Sequence, residues 1–133
     1  MCPAGWHVPT FSEWKILAKY IDPVADTISN CEISCIMSIE GGKRLLSTTT
    51  LWQTPKSSDD FGFSALPAAV RAFAGHANYE IGRNASFWTT TETTFPGRAF
   101  HITLFDSINQ LNIMGNTAWQ NKSAGLSVRC LKD

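Results

Sequence analysis

An α+β domain is predicted for this chain of 133 residues. Three observations predict it. A capped amphipathic helix stands near the start. From Phe87 onward, Thr, Ile, Val and aromatic residues dominate in short runs. Turn residues separate those runs, and helix precedes strand in the chain.

The helix lies in "VPTFSEWKILAKYI". Thr10 followed by Glu13 forms a capping box, in which a hydroxyl and a carboxylate satisfy backbone N–H groups that have no helical partner. Trp14, Leu17, Ala18 and Ile21 share one face at helical spacing, and Pro23 ends the helix. A second helical patch is expected over Ile33 to Leu46, interrupted by Gly41-Gly42. The stretch "WQTPKSSDDFGFSALP" has loop composition but carries Trp52, Phe61, Phe63 and Leu66, which predicts a loop packed onto the domain. Strands are predicted near Ser86–Thr91, Arg98–Phe105, Gln110–Met114 and Gly125–Leu131. In "AFHITLF" the alternation puts Phe100, Ile102 and Leu104 on one face, the expected core face. Ala99, His101, Thr103 and Phe105 fall on the other.

Composition narrows the function classes. Residues 1–133 read as one globular domain, with 44% hydrophobic and 17% charged residues. Eleven basic and eleven acidic side chains cancel, so no basic stripe points to nucleic acid. No apolar run approaches the length of a membrane span, and the abrupt start at Met1-Cys2-Pro3 reads as a domain cut from a longer precursor. The cysteines are Cys2, Cys31, Cys35 and Cys130, an even number that suits two disulfides in an oxidising compartment. A bridge between the ends, Cys2 to Cys130, and a local one in "CEISC", Cys31 to Cys35, are the candidate pairs. Free buried thiols are the alternative. Scattered histidines at 7, 76 and 101 and the CxxxC spacing do not suit a zinc site, and no cofactor motif is present.

Catalytic signals are sparse. Asp59-Asp60 in a Ser-rich loop reads as a turn, and His7 beside Trp6 as a hydrogen-bonded structural residue. Glu92, His101 and Asp106 are the set that a hydrolase would use; convergence in one pocket would favour that alternative. A structural subunit of a surface appendage is a further alternative.

Four blocks, "CPAGWHVPTFSEWKIL", "FGFSALPAAVR", "ASFWTTTE" and "NKSAGLSVRCLKD", occur in this order and together resemble the Fibrobacter succinogenes major paralogous domain. That family is abundant in exported and surface proteins of gut bacteria. The resemblance implies a C-type-lectin-like fold, with N-terminal helices on a small twisted antiparallel sheet and with the first and last strands paired. It thereby implies the Cys2–Cys130 bridge, and core positions for Trp6, Trp14, Phe63 and Trp88. No catalytic set of formylglycine-generating enzymes and no Glu-Pro-Asn or Trp-Asn-Asp calcium motif is visible, so neither activity nor calcium-dependent sugar binding is implied.

Domains of this family also serve as variable proteins of diversity-generating retroelements, in gut phages and bacteria. There, randomised positions alternate with scaffold residues just before an ending like this chain's "GLSVRC". The resemblance makes residues 93–124 the candidate variable region, with Ala99, Phe100, Ile102, Leu104 and Leu111 as scaffold. The candidate ligand-binding residues are Arg98, His101, Thr103, Phe105, Asn112, Met114, Asn116 and Trp119, with Asn121 beside them. Their mixture of Arg, Trp, Phe, Met and Asn suits a recognition surface. The implied function is a non-enzymatic binding or display domain on a cell surface, as a lipoprotein among other forms, or on a phage particle. Its partner would be a protein or glycan.

Overall fold

The computed structural model describes residues 1–25, 34–38, 41–53, 57–71, 81–106, 113–116 and 121–133, with 34–36 and 113–116 described as backbone. Among these, one α-helix packs on two small antiparallel sheets. The elements are β1 (Trp6–His7), α1 (Phe11–Ile21), β2 (Ser34–Ser38), a 3-10 turn (Gly41–Arg44), β3 (Asn84–Glu92), β4 (Ala99–Phe105), β5 (Ile113–Asn116) and β6 (Leu131–Lys132). The larger sheet runs β2-β5-β4-β3, and β1 pairs with β6.

The capping box forms at the start of α1. The Thr10 hydroxyl accepts from the Glu13 N–H at 3.2 Å, and the Glu13 carboxylate accepts from the Thr10 N–H at 2.7 Å. Phe11, Trp14, Ala18 and Ile21 are buried and Leu17 is partly so, as one apolar stripe requires. The stripe meets Ala85, Phe87, Ile102 and Leu104 of the hairpin, and Phe11 stacks on Phe100 with ring centroids 4.6 Å apart. A break in the β3–β4 register between Trp88 and Glu92 frees Thr90 and Thr91 to reach the helix entry. The Thr90 N–H donates to Pro9 O at 3.0 Å, and Thr91 Oγ1 accepts from the otherwise orphaned Phe11 N–H at 2.9 Å.

Several expectations are corrected. The described residues of the stretch 33–46 form a strand and a short 3-10 helix, Gly41–Arg44, and not an α-helix. Ser34–Ser38 is an edge strand paired with β5, and Ser38 Oγ donates to Asp22 Oδ2 at 2.6 Å while accepting from the Gly41 N–H at 2.7 Å. Gly41 is needed there, because a Cβ would stand 2.6 Å from Ser38 Oγ. The side-chain and sheet bonds outweigh the weak local helical preference of this stretch. The predicted strand 125–131 is mostly a passing segment. It makes isolated bridges, in which Gly125 exchanges two backbone hydrogen bonds with Arg71 and Ser127 bonds Ser86 and Trp88 at the edge of β3, then becomes strand only at Leu131–Lys132. Trp6 is 44% exposed rather than core, because two-residue β1 sits at the rim. Trp14 is buried, whereas Phe63 and Trp88 are half-buried. In the long loop, Trp52 and Ala65 are buried while Phe61 and Leu66 remain substantially exposed.

The chain ends meet at one seam. Cys2 and Cys130 are joined by a disulfide across 128 positions of sequence. Trp6 faces Lys132 and His7 faces Leu131 in the β1–β6 register. Cys31 lies outside the described residues, and Cys35 is described only as a position in β2. A bridge that closes so long a loop restricts the unfolded chain strongly. Replacing both Cys2 and Cys130 by Ser is expected to lower the unfolding free energy by roughly 2–5 kcal/mol. Urea denaturation of the oxidised parent and the double variant measures the loss.

Candidate functional site

The register places five of the expected residues on one sheet face. Across β3 and β4, Asn84 faces Phe105, Ser86 faces Thr103 and Trp88 faces His101; across β4 and β5, Thr103 faces Met114 and His101 faces Asn116. That face is not open, which corrects the expectation that His101 and Thr103 are displayed. His101 is 3% exposed and Thr103 5%, and Ser86 and Asn84 beside them are buried as well. Phe105 is half-buried. Strict alternation identifies a strand, but a strand covered on both sides hides both faces. Asn112 and Trp119 lie outside the described residues, and Met114 and Asn116 are known here by register alone.

The buried face is polar. Ser86 and Thr103 hydroxyls share a hydrogen bond of 3.0 Å, and the Trp88 and His101 rings meet edge to face at 6.2 Å. His101 Nδ1 has no hydrogen-bond partner among the described residues. Burial pushes the His101 pKa down to about 4, so the ring is neutral at pH 7. Glu92 and Asp106 do not converge on it. Glu92 pairs with Ala99 at one end of the hairpin, and Asp106 follows Phe105 at the other. Ala99 and Asp106 are seven residue steps apart, a distance of about 23 Å at the usual rise of a strand. Glu92 instead accepts from Lys122 Nζ at the surface.

Among the described residues of the candidate region, the turn joining β3 to β4 is exposed, with 121–123 alongside. The Arg98 N–H donates to Phe95 O at 3.3 Å around Pro96 and Gly97, and Gly97 has a φ of 75°. Pro then Gly at the two central positions suits a type II turn, in which a side chain at the third position would be strained. The Thr93 hydroxyl bonds both the N–H and the carbonyl of Phe95, each at 3.1 Å. The Phe95 ring stands out 53% exposed, with the Arg98 guanidinium 5.6 Å from its centroid. The Lys122 N–H donates to Gly97 O at 2.9 Å, and Arg98 bridges to Asn121, so two separate segments form one surface. Of the expected residues, Arg98 and the neighbouring Asn121 are exposed here. Phe95 and Lys122 were not among them. The Pro-Gly pair after Phe95 is the local signal that marks such a turn.

A second cluster holds the seam. His7 Nδ1 is 2.6 Å from Asp133 Oδ1, and its Nε2 is 3.0 Å from Glu13 Oε1. The Asp133 hydrogen bond first, and Glu13 second, raise the His7 pKa above 6.5. Thr10, through its N–H and then its hydroxyl, holds Glu13 below the ordinary carboxylate value. No group of three or more His, Cys, Asp or Glu able to hold a metal ion stands among the described residues. Nor is any helix there long and apolar enough to cross a membrane.

A small α+β domain, closed end to end by a disulfide and presenting a rigid aromatic turn, is the class that these features define. The chain belongs to the family described as the Fibrobacter succinogenes major domain, whose profile matches residues 1–132. No curated protein and no solved structure matches it.

The two histidines titrate in opposite senses. The His7 contribution to stability is complete below pH 6.5 and is lost as pH rises through its raised pKa. His101 is neutral in the fold, so its contribution is complete above pH 6.5 and is lost as pH falls toward about 4. The latter is worth on the order of 3 kcal/mol. Urea midpoints between pH 4 and 9 are expected to peak near neutrality. His101→Leu should flatten the acid limb, and His7→Asn the alkaline limb.

Proposed function

We propose that this chain is a non-enzymatic binding domain of a bacterial surface or phage protein, with C-type-lectin-like architecture. Its recognition surface is the exposed end of the β3–β4 hairpin together with residues 121–123. The observation that carries the reading is Phe95: a large ring more than half exposed, held on a hydrogen-bonded Pro-Gly turn beside Arg98 and Lys122. An aromatic ring held on a hydrogen-bonded turn beside a guanidinium loses little entropy on binding and suits a protein or glycan partner. Pairing of the first and last strands supports the lectin-like architecture. The disulfide supports export to an oxidising compartment. The separation of Glu92 from Asp106 weighs against the hydrolase alternative.

On this reading residues 93–124 are a variable region in which exposed positions tolerate exchange, whereas His101 and Thr103 tolerate only residues that fit a closed interior. Clones of the gene from one source population should differ at Phe95, Arg98 and Lys122 more than at positions 101–104. Uniform sequences, or changes spread evenly through the core, would reject diversification.

Binding is tested on a glycan array and a bacterial surface-protein array, with the parent and Phe95→Ala. The parent is expected to bind discrete spots, and the variant to lose them with an unfolding free energy within about 0.5 kcal/mol of the parent. Ile102→Ala in the core should instead cost roughly 2–5 kcal/mol. Equal array binding by parent and Phe95→Ala would place recognition elsewhere.

A further inference from the structure

Behind the seam, a cavity of about 280 Å³ opens between the apolar side of α1 and the segment leading to β6. Trp14, Leu17, Phe63 and Leu131 supply apolar walls, and Glu13 and Arg129 supply the charged ones. The volume is at the small end of the range for ligand pockets, and a few polar groups on apolar walls are their usual composition.

The two charges are not equivalent. Glu13 is fully engaged: one carboxylate oxygen accepts from the Thr10 N–H and hydroxyl at 2.7 and 2.8 Å, and the other meets His7 Nε2. Arg129 is exposed, and its guanidinium lies over the Phe63 ring at 4.3 Å from the centroid. No carboxylate pairs with it among the described residues. Stacking on a ring leaves the in-plane N–H donors of a guanidinium available, and it fixes their direction. Trp14 contributes to the lining, and its indole N–H is buried with no acceptor among the described residues.

From this geometry we infer that the seam cavity is a binding site for a small aryl carboxylate. The aromatic body lies among Trp14, Leu17, Phe63 and Leu131, and the carboxylate takes hydrogen bonds from the Arg129 guanidinium. A cationic ligand is disfavoured, because the carboxylate that could receive it is already occupied by Thr10 and His7. The site is separate from the Phe95 surface. It draws on the helix, the Phe63 loop and the C-terminal segment, none of which enters the turn at 93–98.

The test uses the oxidised chain, with phenylacetate and indole-3-acetate as probes and phenethylamine as the charge-reversed control. Binding is followed by the Trp14 indole N–H resonance in nitrogen–proton correlation spectra. Saturable shifts are expected with both carboxylates and none with the amine. Arg129→Gln should weaken binding roughly tenfold, the value of one hydrogen bond to a charged group. Leu17→Trp, which fills the cavity, should abolish binding, whereas Phe95→Ala should bind as the parent does. Arg129 is at the surface, so its variant remains informative if Leu17→Trp does not fold. The inference is overturned by an absence of saturable shifts with either carboxylate, by equal binding of the amine, or by unchanged affinity in Arg129→Gln. Failure here leaves the array result at Phe95 standing on its own.

Discussion

The Cys2–Cys130 disulfide and the β1–β6 pair hold the two ends of the chain together, and the fold is organised inside that closure. Only three residues lie between β1 and the helix, so its entry point is set by the seam. Glu13 serves both structures at once, since one oxygen caps the helix and the other contacts His7 of β1. Asp133 reaches His7 from the opposite end of the chain. From that fixed entry, α1 lays its apolar stripe across the hairpin, and Thr91 on the hairpin satisfies the helix's first N–H. A two-residue strand pair contributes little by itself. The covalent link and the shared carboxylate make its position definite.

The hairpin shows the opposite economy. Its core face is aliphatic and aromatic, and its other face is polar yet also closed, with Ser86 bonded to Thr103 and His101 Nδ1 without a partner among the described residues. Polar groups in such a place constrain a fold, because each restricts what can pack over it. Among the described residues, the exposed side chains of the hairpin lie toward the ends of its strands, where the Phe95 turn and residues 121–123 join.

Much of the local structure was legible because its causes are local. The capping box spans three residues, so Thr10 and Glu13 suffice to locate the helix start. Alternation in "AFHITLF" suffices to identify a strand. Residues 33–46 misled because Ser, Ile and Met there have no strong preference. The deciding contacts come from β5, Asp22 and the close approach at Gly41, all remote from that window. Phe95 was passed over because an aromatic before Pro-Gly looks the same whether it packs inward or stands free.

The sequence by itself determined the family, through four blocks that resemble it in order, and also the helix with its cap, the β4 strand and the residues available for its two faces. The local elements follow from periodicity and from pairs a few positions apart. Only the tertiary structure decided that both faces of β4 are closed, that Arg98 and Lys122 share a surface with Phe95, and that the Arg129 guanidinium lies over the Phe63 ring. Burial and charge pairing depend on which distant segments meet, and no spacing within one strand contains that information.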